Sequence, residues 1–387
     1  MLDINKKTEV SPLKIILWRW WRGLDQHLLI AIAILVFFSL ILVTTSSPAV
    51  AMRIGVREDF FSTRHIIYIS LSLAALVFTS SQNIENIKKI GIAIFVANIF
   101  FLVLVKFGGY EVKGAKRWIN LFGFSLQPSE FIKPSFSIIT AFIITSLHNR
   151  NTAFLISSSI YLVIATLLLM QPDLGMAVTL SGIWGIQLFV AGLPILFVGI
   201  AIFFLSVSLL IAYKIFPHVA ERIDAFLDPE AHENYQVVQS LRAFRDGGLF
   251  GKGPGEGTVK HHIPDSHADF IFAVAGEEFG TMVCIFITSV FAFIVIKSIY
   301  SLMSKKSEFP VLAASGIIAQ LAIQSLINIG VTINLLPTKG MTLPFISYGG
   351  SSTIAVGFAI GMLLALLRTE ISYKPYNILS KEKYDHD

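Results

Sequence analysis

Long runs of apolar residues, separated by short polar segments, dominate the sequence. Ten runs are each close to the roughly 20 residues that an α-helix needs to cross a bilayer. They cover residues 27–46, 65–81, 89–107, 129–148, 152–170, 174–192, 193–213, 269–299, 309–336 and 346–368. The pattern predicts an all-α, polytopic membrane protein with about ten transmembrane helices. Residues 214–268 form the one long polar segment, which we interpret as a large extracytoplasmic loop between spans seven and eight.

The remaining segments are short, so we predict a single membrane domain over residues 1–387. Residues 1–25 are basic and carry Trp18, Trp20 and Trp21, a composition that suits the cytoplasmic lipid interface. No clear cleavage site follows, so the first apolar run is expected to be a span rather than a signal peptide. Residues 369–387 form a polar tail.

Composition supports this class and excludes others. Hydrophobic residues make up 54% of the 387 residues and charged residues only 14%, whereas soluble domains carry about 25% charged residues. The net charge of +5 is spread over many short loops, so a nucleic-acid partner is excluded. Cys284 is the only cysteine, which excludes a disulfide framework and a Cys/His zinc motif.

Basic residues in the short loops predict the orientation. With both termini in the cytoplasm, that side receives most of the loop lysines, as the positive-inside rule requires. Two outer loops, 108–128 and 214–268, nevertheless carry basic residues on the disfavoured side. Their charges are either solvated and balanced by neighbouring acids, or they hold an anionic ligand at the outer membrane surface. The cations concerned are Lys113, Lys116, Arg117, Lys214, Arg222, Arg242, Arg245, Lys252 and Lys260.

Acidic residues mark the start of the eighth span. Asp269 lies at the border between the outer loop and the apolar run, and Glu277 and Glu278 follow within it. Carboxylates in a span are costly and are usually kept for pairing or function. Asp269 could instead only cap the helix, since Asp is a favoured N-cap residue.

Two further outer segments place polar residues at helix starts. Pro128 suits the first turn of a helix, and Glu130 and Lys133 are three residues apart, so they share a face and can pair. Lys133 could also extend outward to the headgroups. Asp173 falls in a tight turn, where it could simply be the N-cap of the next helix.

The long outer loop contains an amphipathic segment and a glycine-rich segment. Residues Tyr235–Arg245 have the pattern of an amphipathic helix. Gly247–Gly257 lacks the lysine followed by Ser or Thr of a nucleotide loop, so we expect a flexible loop there. Near the C-terminus, Pro344 and the pair Gly349–Gly350 predict a helix break at membrane depth, of the kind found where a cavity is lined.

These motifs, taken in order, resemble the SEDS family of bacterial membrane proteins. The resemblance covers nearly the whole chain. It rests on QPSEFIKPSF, QPDLG, FLDP, YQVVQSL, GGLFGKGPGEG, PDSHADFIFAVAGEEFG and LLPTKGMTLPFISYGGSS. The GPGEGTVK and TKGMTLPFISYGGSS segments favour the division branch of the family over the elongation branch, which stays an alternative.

The resemblance implies a peptidoglycan glycosyltransferase that polymerises lipid II with β-1,4 bonds at the outer face of the cytoplasmic membrane and releases undecaprenyl diphosphate. It matches the essential aspartate of the family to Asp269, and three conserved charged residues to Glu130, Lys133 and Lys339. It implies lipid II, a class B penicillin-binding protein and other division proteins as partners, at the division septum. One departure is Ala268, where the family usually has Thr; Ile263 and Asp265 also depart from the usual Leu and Glu.

The chemistry of the residues agrees with this activity. A sugar hydroxyl that attacks an anomeric carbon needs a base, for which Asp269 is the candidate. The leaving pyrophosphate needs cations or donors, and a divalent cation, Mg²⁺ or Mn²⁺, bound through Asp269 would supply one. We predict that supporting contacts to pyrophosphate or sugar come from Arg117, Gln127, Ser129, Glu130, Lys133, Asp173, Gln239, Arg242, His267 and Lys339.

Two other functions compete with the transferase. A lipid II flippase would explain the many spans and broken helices, but it should show inverted repeats, and none is evident in the sequence. A division scaffold without chemistry would use the termini to bind partners. Loss of polymer on Asp269→Ala separates the transferase from both.

Overall fold

Ten long helices and two shorter ones make up most of the part of the chain that the computed structural model describes. That part comprises residues 12–112, 115–121, 124–215, 220, 223–224, 226–228 and 235–369. The predictions made for residues 1–11, for the tail beyond 369, and for Lys113 and Arg222 lie outside the described residues. The helices are α1 (Pro12–Gly23), α2 (Gln26–Ile54), α3 (Phe60–Ser80), α4 (Ile84–Gly108), α5 (Pro128–Ser146), α6 (Arg150–Met170), α7 (Leu174–Val190), α8 (Ile195–Ile215), α9 (Tyr235–Gly247), α10 (Ile271–Met303), α11 (Glu308–Thr332) and α12 (Gly350–Leu367).

The ten predicted apolar runs coincide with α2 to α8 and α10 to α12, which confirms the all-α polytopic class. Within the described residues, seven of these helices are long and apolar enough to cross a membrane by length and composition alone, namely α2, α3, α4, α6, α10, α11 and α12. The helix α7 is apolar but shorter, at 17 residues. The predicted amphipathic helix in the long loop is α9, which extends two residues beyond the predicted end.

A small antiparallel sheet was not predicted. It lies in the loop between α4 and α5 and consists of β1 (Tyr110–Val112), β2 (Ala115–Leu121) and β3 (Phe124–Leu126), with β2 in the centre. β1 and β3 have only three residues each, and β2 shows no clear alternation of apolar and polar residues, so the sequence pattern did not predict them. The sheet brings Arg117 on β2 towards the turn before α7.

The centre of the bundle is formed by α11 and α12. In their most apolar 18-residue windows, 72% and 89% of the residues are buried, against 28% in α4 and α6. Small residues allow α12 to approach α3 closely, since Gly357 and Gly361 face Ser72 and Thr79. The Ser72 hydroxyl also donates to the Thr353 carbonyl at 2.7 Å across this contact.

Helix α10 is interrupted at Gly280, whose φ of 81° and ψ of 174° lie outside the helical region. At this point the glycine-rich loop runs beside the helix. The Lys252 N–H donates to the Glu277 carbonyl at 3.0 Å, and the Thr281 N–H donates to the Gly248 carbonyl at 2.9 Å. The loop predicted to be flexible is therefore hydrogen-bonded to a span, and its glycines adopt the positive φ angles that such a turn requires.

Candidate active site

The polar residues of the outer loops meet where α5, α7, α10 and α12 begin, which we call the outer end after the orientation predicted from the loop charges. Direct contacts join these helix starts. The Gln127 N–H, just before α5, donates to the Ser351 hydroxyl in the first turn of α12 at 3.0 Å. Because the N-terminus of a helix carries a partial positive charge, several starts at one place favour an anion.

Asp269 lies half-buried in the loop just before α10. Phe270 is the N-cap residue, so Asp269 precedes the cap rather than forming it. Hydrogen bonds to three successive backbone carbonyls hold this segment. The Tyr348 N–H donates to His267 at 2.9 Å, the Ser347 hydroxyl to Ala268 at 2.7 Å, and the Asn328 amide to Asp269 at 2.9 Å.

This turn is therefore held by hydrogen bonds although residue 268 is Ala and not Thr. A Thr hydroxyl at position 268 would be a side-chain contact, whereas the hydrogen bond from Ser347 is made to the backbone carbonyl of this residue. The departure from the family pattern leaves the backbone support of Asp269 in place.

The segment that carries Lys339 passes directly over Asp269. A side chain on Gly340 would place its Cβ 2.8 Å from the Asp269 Oδ2 atom, so glycine permits this close approach. Lys339 itself lies against Gly175 in the first turn of α7, where a Cβ would be 2.7 Å from the Lys339 Cε atom. The Lys339 ammonium also acts electrostatically on Asp173. The structure thus brings Asp269, Lys339 and Asp173 to one place.

Arg117 completes a cationic group at the start of α7. Its guanidinium donates to the carbonyls of Gln171 and Pro172, and its Nε atom lies 3.8 Å from the Asp173 carboxylate. Asp173 is the N-cap of α7, as predicted, and accepts from the Met176 N–H at 3.5 Å. Burial raises the pKa of the Asp173 carboxyl, and the charges of Arg117 and Lys339 oppose that rise.

Glu130 and Lys133 form the predicted pair, deep on the first turns of α5. The Lys133 ammonium, which is fully buried, donates to Glu130 at 2.8 Å and to the Gln324 side chain of α11 at 2.9 Å. Gln324 in turn donates to the Thr342 carbonyl at 3.0 Å. A chain of polar contacts therefore runs from α5 through α11 to the segment that covers Asp269.

Three other predicted residues surround this centre. Gln127 and Ser129 are buried next to the start of α12, and their side chains lie 3.1 Å apart. The His267 ring packs against the rings of Phe61 and Tyr348, with centroids 4.3 and 5.0 Å away. His267 is thus part of an aromatic cluster beside Asp269.

The two residues predicted on α9 are placed differently. Gln239 is half-buried and Arg242 is exposed on this helix. The helix is joined to α11 by the Ser240 hydroxyl, which donates to the Thr332 carbonyl at 2.6 Å. Both predictions stay open, since the contacts that define the centre involve other helices.

The glutamates Glu277 and Glu278 are not part of the centre. The Glu277 carboxylate accepts from the backbone N–H groups of Thr258, Val259 and Lys260, at 2.6 to 3.0 Å. Glu278 pairs with the Lys260 ammonium at 2.5 Å. Their costly burial in a span is offset by these contacts with the outer loop.

Four polar residues of the centre were missed by the sequence analysis, namely Gln324, Asn328, Thr342 and Ser347. A signal was present for two of them. Gln320, Gln324 and Asn328 recur every four residues on one face of an otherwise apolar span, and all three are buried. Such a polar stripe inside a span indicates a functional or packing contact.

The donors for a resident metal ion are few. In the described part of the chain, no three His, Cys, Asp or Glu side chains come together in a way that could hold a cation. Divalent Mg²⁺ takes six oxygen ligands and is often bound by one or two carboxylates and substrate phosphates. The side chains in the described part of the chain therefore do not by themselves supply a set of ligands for such a cation.

The fold and this centre define a polytopic membrane protein with a charged, polar site at one end of its helix bundle. Residues 26–371 match the family model of the cell cycle proteins FtsW, RodA and SpoVE. The chain therefore belongs to this family, which is the one that the sequence motifs indicated.

Similar proteins cover nearly the same length. The chain is 39% identical over 360 residues to the probable peptidoglycan glycosyltransferase FtsW of Caulobacter vibrioides, covering 90% of each chain. It is 35% identical over 355 residues to the protein of the same name from Trichlorobacter lovleyi, covering 88% of this chain and 92% of that relative.

Two solved structures have the same fold. One is a chain from a structure that describes how a peptidoglycan synthase complex coordinates polymerization and crosslinking. It superimposes with a TM-score of 0.76 at 25% identity, covering 90% of this chain and 98% of that one. The rod shape determining protein RodA of Thermus thermophilus gives a TM-score of 0.67 at 22% identity, covering 91% and 99%.

Proposed function

We propose that this chain is a peptidoglycan glycosyltransferase that polymerises lipid II at the outer face of the cytoplasmic membrane, with Asp269 as its general base. The observation that carries this is the arrangement around Asp269. One half-buried carboxylate, in a turn whose carbonyls at residues 267 to 269 each accept a hydrogen bond, lies near a cationic group formed by Lys339 and Arg117. The relatives named as peptidoglycan glycosyltransferases support the same activity.

These groups support the following reaction. The acceptor sugar hydroxyl forms a bond with the anomeric carbon of the donor, and its proton passes to the Asp269 carboxylate. The bond between that carbon and the pyrophosphate breaks, and undecaprenyl diphosphate leaves with the electron pair. Attack opposite the leaving group inverts the anomeric centre in one displacement.

The leaving group requires cations where its charge develops. We expect Lys339 and Arg117, which lie next to the start of α7, to bind the pyrophosphate. A divalent cation would supply further Lewis-acid stabilisation if the pyrophosphate brought it to the site. Its ligands would then be phosphate oxygens and water together with Asp269.

The cellular setting forms part of the proposal. A septal location, cytoplasmic termini and a role in division are supported by the relatives named FtsW and by the basic residues at the predicted inner side. A class B, FtsI-like transpeptidase is the partner that we expect, since a similar chain occurs in a peptidoglycan synthase complex.

The test is polymerisation of labelled lipid II by the purified chain together with its transpeptidase partner. We expect glycan strands from the wild type and a rate about 10²- to 10⁴-fold lower for Asp269→Ala, as for other lost general bases. The matched control is Asp265→Asn, in the same loop, because Asn also tolerates the φ of 54° found there.

The outcomes separate the competing functions. Normal polymerisation by a folded Asp269→Ala variant would exclude the proposed mechanism. No strands from either form, together with headgroup translocation in vesicles, would indicate a lipid II flippase instead. Lower activity of the wild type after chelation would show that a cation takes part.

A further inference from the structure

A buried ammonium group ties the outer loop to two transmembrane helices. The three N–H donors of Lys260 are all used: the ammonium donates to the Thr45 carbonyl of α2 at 3.0 Å, the Gly255 carbonyl at 2.8 Å and the Glu278 carboxylate of α10 at 2.5 Å. Lys260 is 3% exposed and Glu278 is 1% exposed. Such a saturated site fixes the position of the lysine more firmly than a surface pair would.

The backbone of the same residues is fixed from the other side. The Glu277 carboxylate accepts from three consecutive N–H groups, ending at Lys260. Arg53, at the outer end of α2, donates to the carbonyls of His261 and Ile263 at 2.7 and 3.2 Å. The segment from 258 to 263 is therefore clamped between α2 and α10.

Asp269 lies only six residues beyond this clamp. It lies just before the short part of α10 that precedes the break at Gly280, and Glu277 and Glu278 are in this short part. Asn328 of α11 and the following Ser347 and Tyr348 donate hydrogen bonds to the carbonyls of residues 267 to 269. On its other side, the loop is held by the hydrogen bonds of Lys260, Glu277 and Arg53.

We propose that Lys260, through its ion pair with Glu278 and its two backbone hydrogen bonds, is a positioning residue for Asp269. This inference rests on the proposed function of Asp269. Lys260 does not touch the reacting atoms; it holds the 258–263 segment against α2, and so holds the Asp269 carboxylate at the depth where the acceptor hydroxyl binds. A displacement of about 1 Å at a catalytic group can lower a rate about 100-fold.

The first variant is Lys260→Met, which keeps an unbranched side chain of similar length and removes its donors. We expect kcat to fall between about 10- and 100-fold while KM for lipid II stays within about twofold. Lys260→Arg should recover most of the rate, because the guanidinium can donate to the same oxygen atoms. The matched control is Lys252→Met in the same loop, where the partly exposed lysine contacts Asp246 and Glu277; its kcat should stay within about twofold.

A double variant separates positioning from stability. Lys260→Met alone leaves the Glu278 charge buried without its cation, which destabilises the fold. Lys260→Met with Glu278→Gln removes that charge, so the melting temperature should return close to the wild-type value. The bonds to Thr45 and Gly255 stay lost, so kcat should stay low. Recovery of kcat together with the melting temperature would overturn the proposal, because Lys260 would then be only structural.

Hydrogen exchange gives a readout that does not depend on activity. In Lys260→Met, the amides of residues 258–263 and 267–270 should exchange faster than in the wild type, with no such change in Lys252→Met. Unchanged exchange at 267–270 would overturn the inference. If Asp269→Ala polymerised normally, the proposed function would fail, and the exchange data would still decide whether Lys260 holds the loop.

Discussion

The Glu130–Lys133 pair and the Lys260–Glu278 pair are both buried near the outer end of the bundle, but their hydrogen bonds differ. Lys133 donates to two side chains, those of Glu130 and Gln324. Lys260 donates to one carboxylate and to two backbone carbonyls. The lysine of the first pair is hydrogen-bonded to a further side chain, and the lysine of the second pair is hydrogen-bonded to the backbone.

This difference separates two uses of buried charge. Side chains can rearrange around a ligand at little cost to the fold, and the network of Lys133 leads through Gln324 to the segment over Asp269. Backbone carbonyls cannot rearrange without moving the chain, so the contacts of Lys260 fix a position. On burial and charge alone, the two pairs could not be distinguished, since both would be interpreted as candidate functional residues.

The largest effect is expected when the first pair is broken. Lys133→Met leaves Glu130 buried without a cation, which should cost about 3–5 kcal/mol of stability. The polymerisation rate should also fall, at least in proportion to the decrease in the fraction of folded protein. The measurements are thermal unfolding in detergent and the rate of strand formation for the folded fraction.

Lys88→Met is the matched control for this variant. Lys88 and Glu85 are also three residues apart, with the same distance of 2.8 Å, but Glu85 is largely exposed at the other end of the bundle. An exposed pair contributes no more than about 1 kcal/mol. Equal losses in both variants would mean that burial does not distinguish the two pairs.

A smaller and more local effect is expected at Gly340. Gly340→Ala would place a methyl group 2.8 Å from the Asp269 Oδ2 atom. The carboxylate is the end of a side chain and can turn away, so the melting temperature should change little. The displaced base should lower kcat by about 10- to 100-fold. Gly185→Ala serves as the control, since no atom lies within 4 Å of the added Cβ; a normal rate for Gly340→Ala would contradict the close approach to Asp269.

The apolar pattern was enough to predict ten helices, because burial in a membrane imposes one hydrophobic segment per crossing. It could not predict the sheet around Arg117, whose strands of three to seven residues carry no periodic signal. The Glu130–Lys133 pair followed from helical spacing. The bond between Lys133 and Gln324 joins residues 191 positions apart, and only the packing of α5 against α11 brings them together.

The partners of the acidic residues in α10 also could not be predicted from the sequence pattern. From the sequence, Glu277 and Glu278 could be interpreted only as costly groups kept for pairing or function. Their partners are the N–H groups of residues 258–260 and the Lys260 ammonium, which belong to a loop that we expected to be flexible. Loop conformation depends on tertiary hydrogen bonds, which a local pattern does not encode.

The smallest effect on stability is expected at Asp173, which is buried and lies near the cations Arg117 and Lys339. Burial is the larger influence and raises the pKa of its carboxyl above the ordinary value of 3.8. A raised pKa means that the contribution of this group to stability is fully present below about pH 3.8 and is lost as the pH rises through the raised pKa. Above that range, the fold contains a buried carboxylate that is only partly compensated.

Asp173→Asn should therefore leave the melting temperature unchanged near pH 4 and raise it slightly at pH 7, by about 2 °C or less. Thermal unfolding in detergent at both pH values measures this directly, with Asp59→Asn as the control. The pKa of Asp59 is lowered by its hydrogen bond with Arg57, so its substitution should act in the opposite direction. If Asp173→Asn instead lost stability at pH 7, Arg117 and Lys339 would outweigh burial. Asp173 would then resemble the Lys260–Glu278 pair, in which charges stabilise the fold before any ligand binds.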